Sequence, residues 1–164
     1  SEEDTVIWRG PMVHGAIKQF VEDVEWEGVD NLVIDLPPGT GDAHLSLIQT
    51  VPLSGGVIVT TPQDVALIDV KRGIQMFKKL NVPLLGVIEN MSYLQIGDEI
   101  IDIFGRGGGK AMAEKFDVPF LGEIPIDPEI RKGGDTGLPV VHNSPNSASA
   151  KAFNDIAEKL IDKL

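Results

Sequence analysis

The octet Asp35-Leu36-Pro37-Pro38-Gly39-Thr40-Gly41-Asp42 holds the residues best placed to do chemistry. An apolar run, Asn31–Leu36, carries a carboxylate to its carboxyl end; a stiff Pro-Pro-Gly loop follows, and then a helix opens. A carboxylate so placed can hold a Mg²⁺-bound water, because Mg²⁺ keeps several waters and takes one or two carboxylates beside phosphate oxygens. Gly39, just beyond, lets a backbone N–H approach a terminal phosphate with no side chain between them. The octet also reads as a plain strand-to-helix turn whose Asp caps the helix. Of the two, nucleotide switching is the reading its residues favour.

Such residues need a sheet edge to stand on. Four short apolar runs, Asn31–Leu36, Gly56–Thr60, Pro83–Glu89 and Pro119–Ile124, are bounded by Gly, Pro or Asp. Their continuous apolarity predicts strands covered on both faces, as in a parallel sheet. Helical patterns fill the gaps. Residues 12–24 place Val13, Ile17, Phe20 and Val24 in a core stripe, and residues 43–51 form a short apolar helix. Residues 64–80 put Leu67, Val70, Ile74 and Phe77 on one face, with Asp64 as N-cap. Residues 108–117 follow a glycine run. Residues 147–164 start from Ser147 as a cap and present Phe153, Ile156, Ala157, Leu160 and Leu164 together. Strands recur at roughly the ~30-residue spacing of a βαβ unit. The alternation predicts an α/β fold: a doubly wound, mostly parallel sheet with helices on both faces, in a single domain over residues 1–164. Ligands of such sheets sit beyond the carboxyl ends of the strands.

Composition narrows the function classes. A chain of 164 residues can bury a core without disulfides or metals. Its net charge of −11 opposes binding to nucleic acid and to anionic lipid. It contains no cysteine, so neither a disulfide framework nor thiolate metal ligation is available within it. No apolar run reaches the ~18 residues of a membrane span. Ser1-Glu2-Glu3-Asp4 is acidic and unlike a signal peptide. The expectation is a cytoplasmic protein that docks on neither nucleic acid nor membrane.

Five stretches in order carry a family resemblance: Trp8–Met12, Ile34–Asp42, Thr60–Leu67, Gly86–Tyr93 and Phe120–Asp127. From about residue 5 to the end, the chain closely resembles the Mrp/ApbC family of P-loop ATPases, nucleotide-binding iron–sulfur cluster carriers related to MinD and ParA. The resemblance implies roles by position. Asp35 is the Walker B acid, acting on Mg²⁺ through water. Gly39 is the switch glycine that senses the γ-phosphate, and Asp42 helps orient the attacking water. Asn90, with Met91 beside it, follows a strand where relatives read adenine with an amide that both donates and accepts. Pro125 and Asp127 line the base pocket, and Thr61, Pro62 and Gln63 shape its floor. Each of these also serves as an ordinary turn residue; Asn90 suits a left-handed position by itself. Arg9 either reaches across a dimer interface or pairs with a local carboxylate, and Trp8 packs. The implied cofactors are ATP or ADP with Mg²⁺, plus an iron–sulfur cluster. The implied partners are a second copy, forming a homodimer, and iron–sulfur recipient or scaffold proteins.

The chain departs from the family pattern twice. It has no Gly-rich loop ending in Lys-Ser/Thr; its one dense glycine run, Gly105–Lys110, is followed by Ala111. In the family that run is not the phosphate loop, which lies in an N-terminal segment absent here. The family also usually carries Cys-x-x-Cys soon after Asn-Met-Ser-Tyr, where paired thiolates from two subunits bridge a cluster. Here Tyr93-Leu94-Gln95 runs into Ile96-Gly97-Asp98-Glu99. Either the cluster site is absent by nature, or residues are missing between Gln95 and Ile96; the second account is preferred because it also explains the absent front half. Asp98, Glu99 and Asp102 read as a solvated acidic loop. His14, His44 and His142 show no metal-site spacing, and His44 is expected on a helix surface. The function expected is an ATP-binding and hydrolysing iron–sulfur cluster carrier. The alternatives are a MinD/ParA-like positioning ATPase and a non-catalytic partner-binding fragment. The balanced charges of the last helix and the acidic chain disfavour the positioning ATPase.

Overall fold

A computed structural model describes residues 10–36 and 39–164, so Trp8, Arg9, Pro37 and Pro38 lie outside the described residues. Where one domain is expected over residues 1–164, the chain packs as two compact units, Ser1–Leu53 and Ser54–Leu164.

In the first unit, α1 (Gly10–Glu22) packs against α2 (Asp42–Thr50). Burial in α2 falls on His44, Ser46 and Leu47. Two expectations fail here. Asn31–Leu36 forms no strand, and Val33 is 85% exposed. A strand exists only through hydrogen bonds to a neighbour, and none of the described strands pairs with this run. The stripe on residues 12–24 is not core either: Phe20 and Val24 stand exposed and Ile17 is half-buried. Periodicity marks a face that can be buried, and burial itself requires something packed on that face.

The second unit holds a three-stranded parallel sheet in the order β1 (Gly56–Thr60), β2 (Leu84–Glu89), β5 (Phe120–Glu123). Pro119 and Ile124 flank β5 rather than belong to it. The α3 helix (Asp64–Lys79) buries Val70, Ile74 and Phe77 as its spacing predicts. Gln63, not Asp64, stands at its N-cap position; Asp64 is the first helical residue, where its charge complements the helix dipole. On this face of the sheet Gly73 of α3 approaches Ile58, while Gly109 of α4 (Gly108–Phe116) approaches Thr60 and Glu89. One residue out of phase, Val57 and Ile88 face the opposite way. They join Leu121, Ile124 and Ile156 beneath α7 (Ala148–Ile161), with Phe153 and Leu160 at the margin. Full burial of Leu121 or Ile156 stabilises by about 1.5–3 kcal/mol each. Ser147 caps α7 as expected, accepting from the Ala150 N–H at 3.1 Å.

Four elements were not anticipated. Strands β3 (Leu94–Ile96) and β4 (Glu99–Ile101) form an antiparallel hairpin turned by Gly97 and Asp98. Helix α5 (Pro128–Thr136) starts at an Asp127 cap with Pro128 behind it and stops at a left-handed Gly137. The short α6 (Val140–Asn143) follows.

Candidate functional site

The carboxyl ends of β1, β2 and β5 lie side by side, and pairing continues past the strands themselves. The Asn90 N–H donates to the Thr60 carbonyl at 2.7 Å, and the Ile124 N–H to that of Glu89 at 2.8 Å. The Ser92 N–H donates to the Ile124 carbonyl at 3.0 Å, and the Ile126 N–H to that of Tyr93 at 2.7 Å. These bonds bring Thr61, Pro62, Asn90, Met91, Pro125 and Asp127 to one sheet edge.

Each of these residues has a definite local setting. Thr61 donates its hydroxyl to Gln63 Oε1 at 3.0 Å, and Pro62 is buried beneath it in the chain. Asn90 is half-buried, and its Oδ1 accepts from the Met91 N–H at 2.9 Å. The left-handed position of this turn is Met91 (φ 52), so tolerance of that conformation is not what Asn90 supplies. Pro125 is buried. Asp127 has both oxygens engaged: Oδ1 caps α5 through the Glu129 N–H at 2.9 Å, and Oδ2 accepts from the Ser149 hydroxyl. It thereby fixes α5 to α7.

Asp35, Gly39 and Asp42 belong to the other unit. Asp35 and Gly39 are exposed. Gly39 has φ 100, and a Cβ built on it would meet nothing, so backbone conformation rather than space favours glycine there. Asp42 opens α2, and the Gly41 carbonyl accepts from the His44 N–H at 3.1 Å.

His44 corrects the sequence reading. It is 6% exposed rather than on a helix surface, and its Nδ1 has no hydrogen-bond partner among the described residues. Burial pushes the imidazole pKa below its usual value, because the charged ring loses hydration. Asp98, Glu99 and Asp102 are exposed on and after the hairpin. No group of three or more His, Asp or Glu among the described residues is placed to hold a metal ion.

Sequence reasoning missed Glu89. It ends β2, is fully buried, and faces the amino end of α4. Its Oε1 accepts from the Ser92 hydroxyl at 2.5 Å and the Gly107 N–H at 2.9 Å; its Oε2 accepts from the Gly109 N–H at 2.6 Å. Gly107 takes φ 82, and its N–H and that of Gly109 both turn inward on this carboxylate. The anion bound there is the protein's own carboxylate, so Gly105–Lys110 is not free to cradle phosphate. A charged residue closing an otherwise apolar strand was the available signal, since a buried charge demands partners. Beside this clasp, Arg106 pairs with Glu123 at 2.7 Å and lies over the Tyr93 ring at 4.5 Å.

A family model described as ParA, NUBPL iron-transfer P-loop NTPase, matches residues 1–161. The chain is 53% identical to an iron-sulfur cluster carrier protein of Deinococcus radiodurans over 161 positions, covering 97% of this chain and 45% of that protein. Among solved structures it resembles a nucleotide-binding protein in complex with ADP from Archaeoglobus fulgidus. That match has TM-score 0.69 and 38% identity, and covers 77% of this chain and 53% of the other. It also resembles the septum site-determining protein MinD complexed with Mg-ADP from Pyrococcus horikoshii, with TM-score 0.66 and 28% identity, covering 95% and 60%. The fold is therefore that of MinD-like P-loop NTPases. The chain spans about half the length of the curated relatives it matches. The hairpin ladder pairs Gln95 with Ile100 and Ile96 with Glu99.

Proposed function

The chain belongs to the ParA family, as a NUBPL-type iron-transfer P-loop NTPase, and on that premise we propose that the full-length protein is an ATP-binding and ATP-hydrolysing iron–sulfur cluster carrier. The observation that carries this reading is the shared edge of β1, β2 and β5, where Asn90, Met91, Thr61, Pro62 and Pro125 stand together. With its Oδ1 engaged by Met91, Asn90 presents its amide N–H₂ to a purine ring nitrogen. Pro125 and the Asp127-capped α5 frame the base, and Thr61 and Pro62 form the floor. In the full-length protein Asp35, Gly39 and Asp42 would act on the phosphates: Asp35 would hold Mg²⁺ through water, Gly39 would sense the γ-phosphate, and Asp42 would orient the attacking water. Bound Mg²⁺ neutralises charge on the transferring phosphoryl group, and catalysis rests on positioning and charge stabilisation. Loss of the γ-phosphate is transmitted from Gly39 to α2 and onward to a homodimer interface.

The cluster is cargo. This stretch has no cysteine, so none of its residues offers a thiolate to iron. Ligands must come from elsewhere in the full-length protein or from a partner. Recipient apoproteins in the cytoplasm are the expected destination.

The test is Asp35→Ala in the full-length protein. Mg-ATP hydrolysis is expected to be lost while circular dichroism is unchanged, and transfer of a reconstituted cluster to an apo-ferredoxin is expected to lose its dependence on ATP. Hydrolysis at the wild-type rate in that variant refutes the assignment of Asp35. The positioning-ATPase alternative is separated by vesicle or DNA co-sedimentation with ATP, which the net charge of −11 opposes.

A further inference from the structure

We propose that Glu89 is a positioning residue for nucleotide base recognition, clasping the Asn90 turn to the amino end of α4; this inference rests on the nucleotide-binding reading of the same edge. The turn from Glu89 to Ser92 is fastened at both ends. The Asn90 N–H is held by Thr60 on one side, and the Ser92 N–H by Ile124 on the other. Neither bond fixes the turn along the normal to the sheet. The Glu89 carboxylate does, by gathering the Ser92 hydroxyl and the Gly107 and Gly109 N–H groups.

Space allows no slack in this clasp. A Cβ on Gly109 would stand 3.1 Å from Thr60 Cγ2 and 3.2 Å from Glu89 Oε2, so α4 already touches both strands. The clasp also closes the chain on itself. Residues 93–106, including the β3–β4 hairpin, leave from Ser92 and return at Gly107, and both stems end on Glu89. A carboxylate fits this job where a neutral amide does not, because all three partners donate. In Glu89→Gln the amide N–H₂ must face either the Gly109 N–H or the Gly107 N–H. One glycine N–H then loses its acceptor, and α4 shifts away from the turn. Asn90, held by the same turn, loses its register toward the base.

The experiment compares ADP and GDP binding to the full-length protein by calorimetry, in wild type, Asn90→Ala, Glu89→Gln and Ser92→Ala. A merely structural role for Glu89 would weaken both nucleotides alike, since their phosphates and ribose are the same. A positioning role lowers the preference for ADP over GDP. The expected result is that Asn90→Ala abolishes the preference, while Glu89→Gln weakens ADP binding about tenfold, the worth of one well-made hydrogen bond, with GDP little changed. Ser92→Ala, which removes one donor and leaves the carboxylate, is expected to move the ratio in the same direction by a smaller factor. It carries the comparison should Glu89→Gln fail to fold. If Asn90→Ala abolishes the preference while folded Glu89→Gln and Ser92→Ala keep the wild-type ratio, the inference is overturned and the nucleotide reading survives. If wild type has no preference, or Asn90→Ala leaves it intact, base reading by this edge fails and the inference fails with it.

Discussion

Adding a single methyl group at Gly108 tests whether the approach of α4 to the sheet is as close as the clasp requires. Gly108 is the first residue of α4, and a Cβ there would stand 2.5 Å from the Pro62 carbonyl oxygen and 2.9 Å from Leu67 Cδ1. The leucine methyl can rotate away; the carbonyl is backbone in the turn between β1 and α3 and cannot. A carbon-to-carbonyl-oxygen contact is comfortable at about 3.3 Å or more, so the helix end must recede by roughly 0.8 Å. That movement stretches the Gly109 and Gly107 bonds to Glu89, now 2.6 and 2.9 Å, to about 3.4 and 3.7 Å, past the ~3.2 Å limit of a good N–H···O bond. Overpacking costs about 1–3 kcal/mol, and weakening hydrogen bonds to a charged group about 1.5–3 kcal/mol. The two costs overlap, because relieving the clash is what stretches the bonds. Alanine returns up to about 1 kcal/mol in helix propensity. The net is a loss of about 2–4 kcal/mol, or a fall in Tm of roughly 5–15 °C for a chain of this size. The assay is thermal unfolding followed by circular dichroism, with Gly134→Ala as control. Gly134 lies in α5 with open space around its missing side chain, so its substitution should leave Tm unchanged or slightly raised. A Gly108→Ala protein that melts within a degree of wild type refutes the close approach, and with it the reason for the glycine run.

Two other perturbations follow from groups with defined surroundings. Burial lowers the folded-state pKa of His44 below the 6.5 of the free side chain, so the unfolded chain takes up the proton first. Stability should therefore fall as pH drops from about 6.5 toward the folded value and level off below it. Urea midpoints across that window should show a smaller fall in His44→Leu than in wild type; equal falls in the two proteins count against burial of the neutral ring. Asp127→Ala removes the cap of α5 and the tie to Ser149 together. It should cost about 1–3 kcal/mol in urea unfolding, and an unchanged midpoint would mean that neither bond forms in solution.

Much of the second unit was legible from local pattern alone. β1, β2, β5, α3 and α7 fall where apolar runs and helical spacing place them, because continuous apolarity and a 3.6-residue period are properties of a segment by itself. The family was read from residue types in order. The α5 boundaries were written in Asp127, Pro128 and Gly137, although no helix was expected there. What only the tertiary structure decided depends on neighbours distant in sequence. Asn31–Leu36 has the composition of a strand but no ladder, since a strand is made by its partner. Phe20 and His44 exchanged their expected environments, since periodicity names a face and packing decides whether it is covered. Glu89 looked like the last residue of a strand; its task appears only when the fold brings Gly107 and Gly109, far along the chain, within hydrogen-bond reach of a carboxylate that has no water to solvate it.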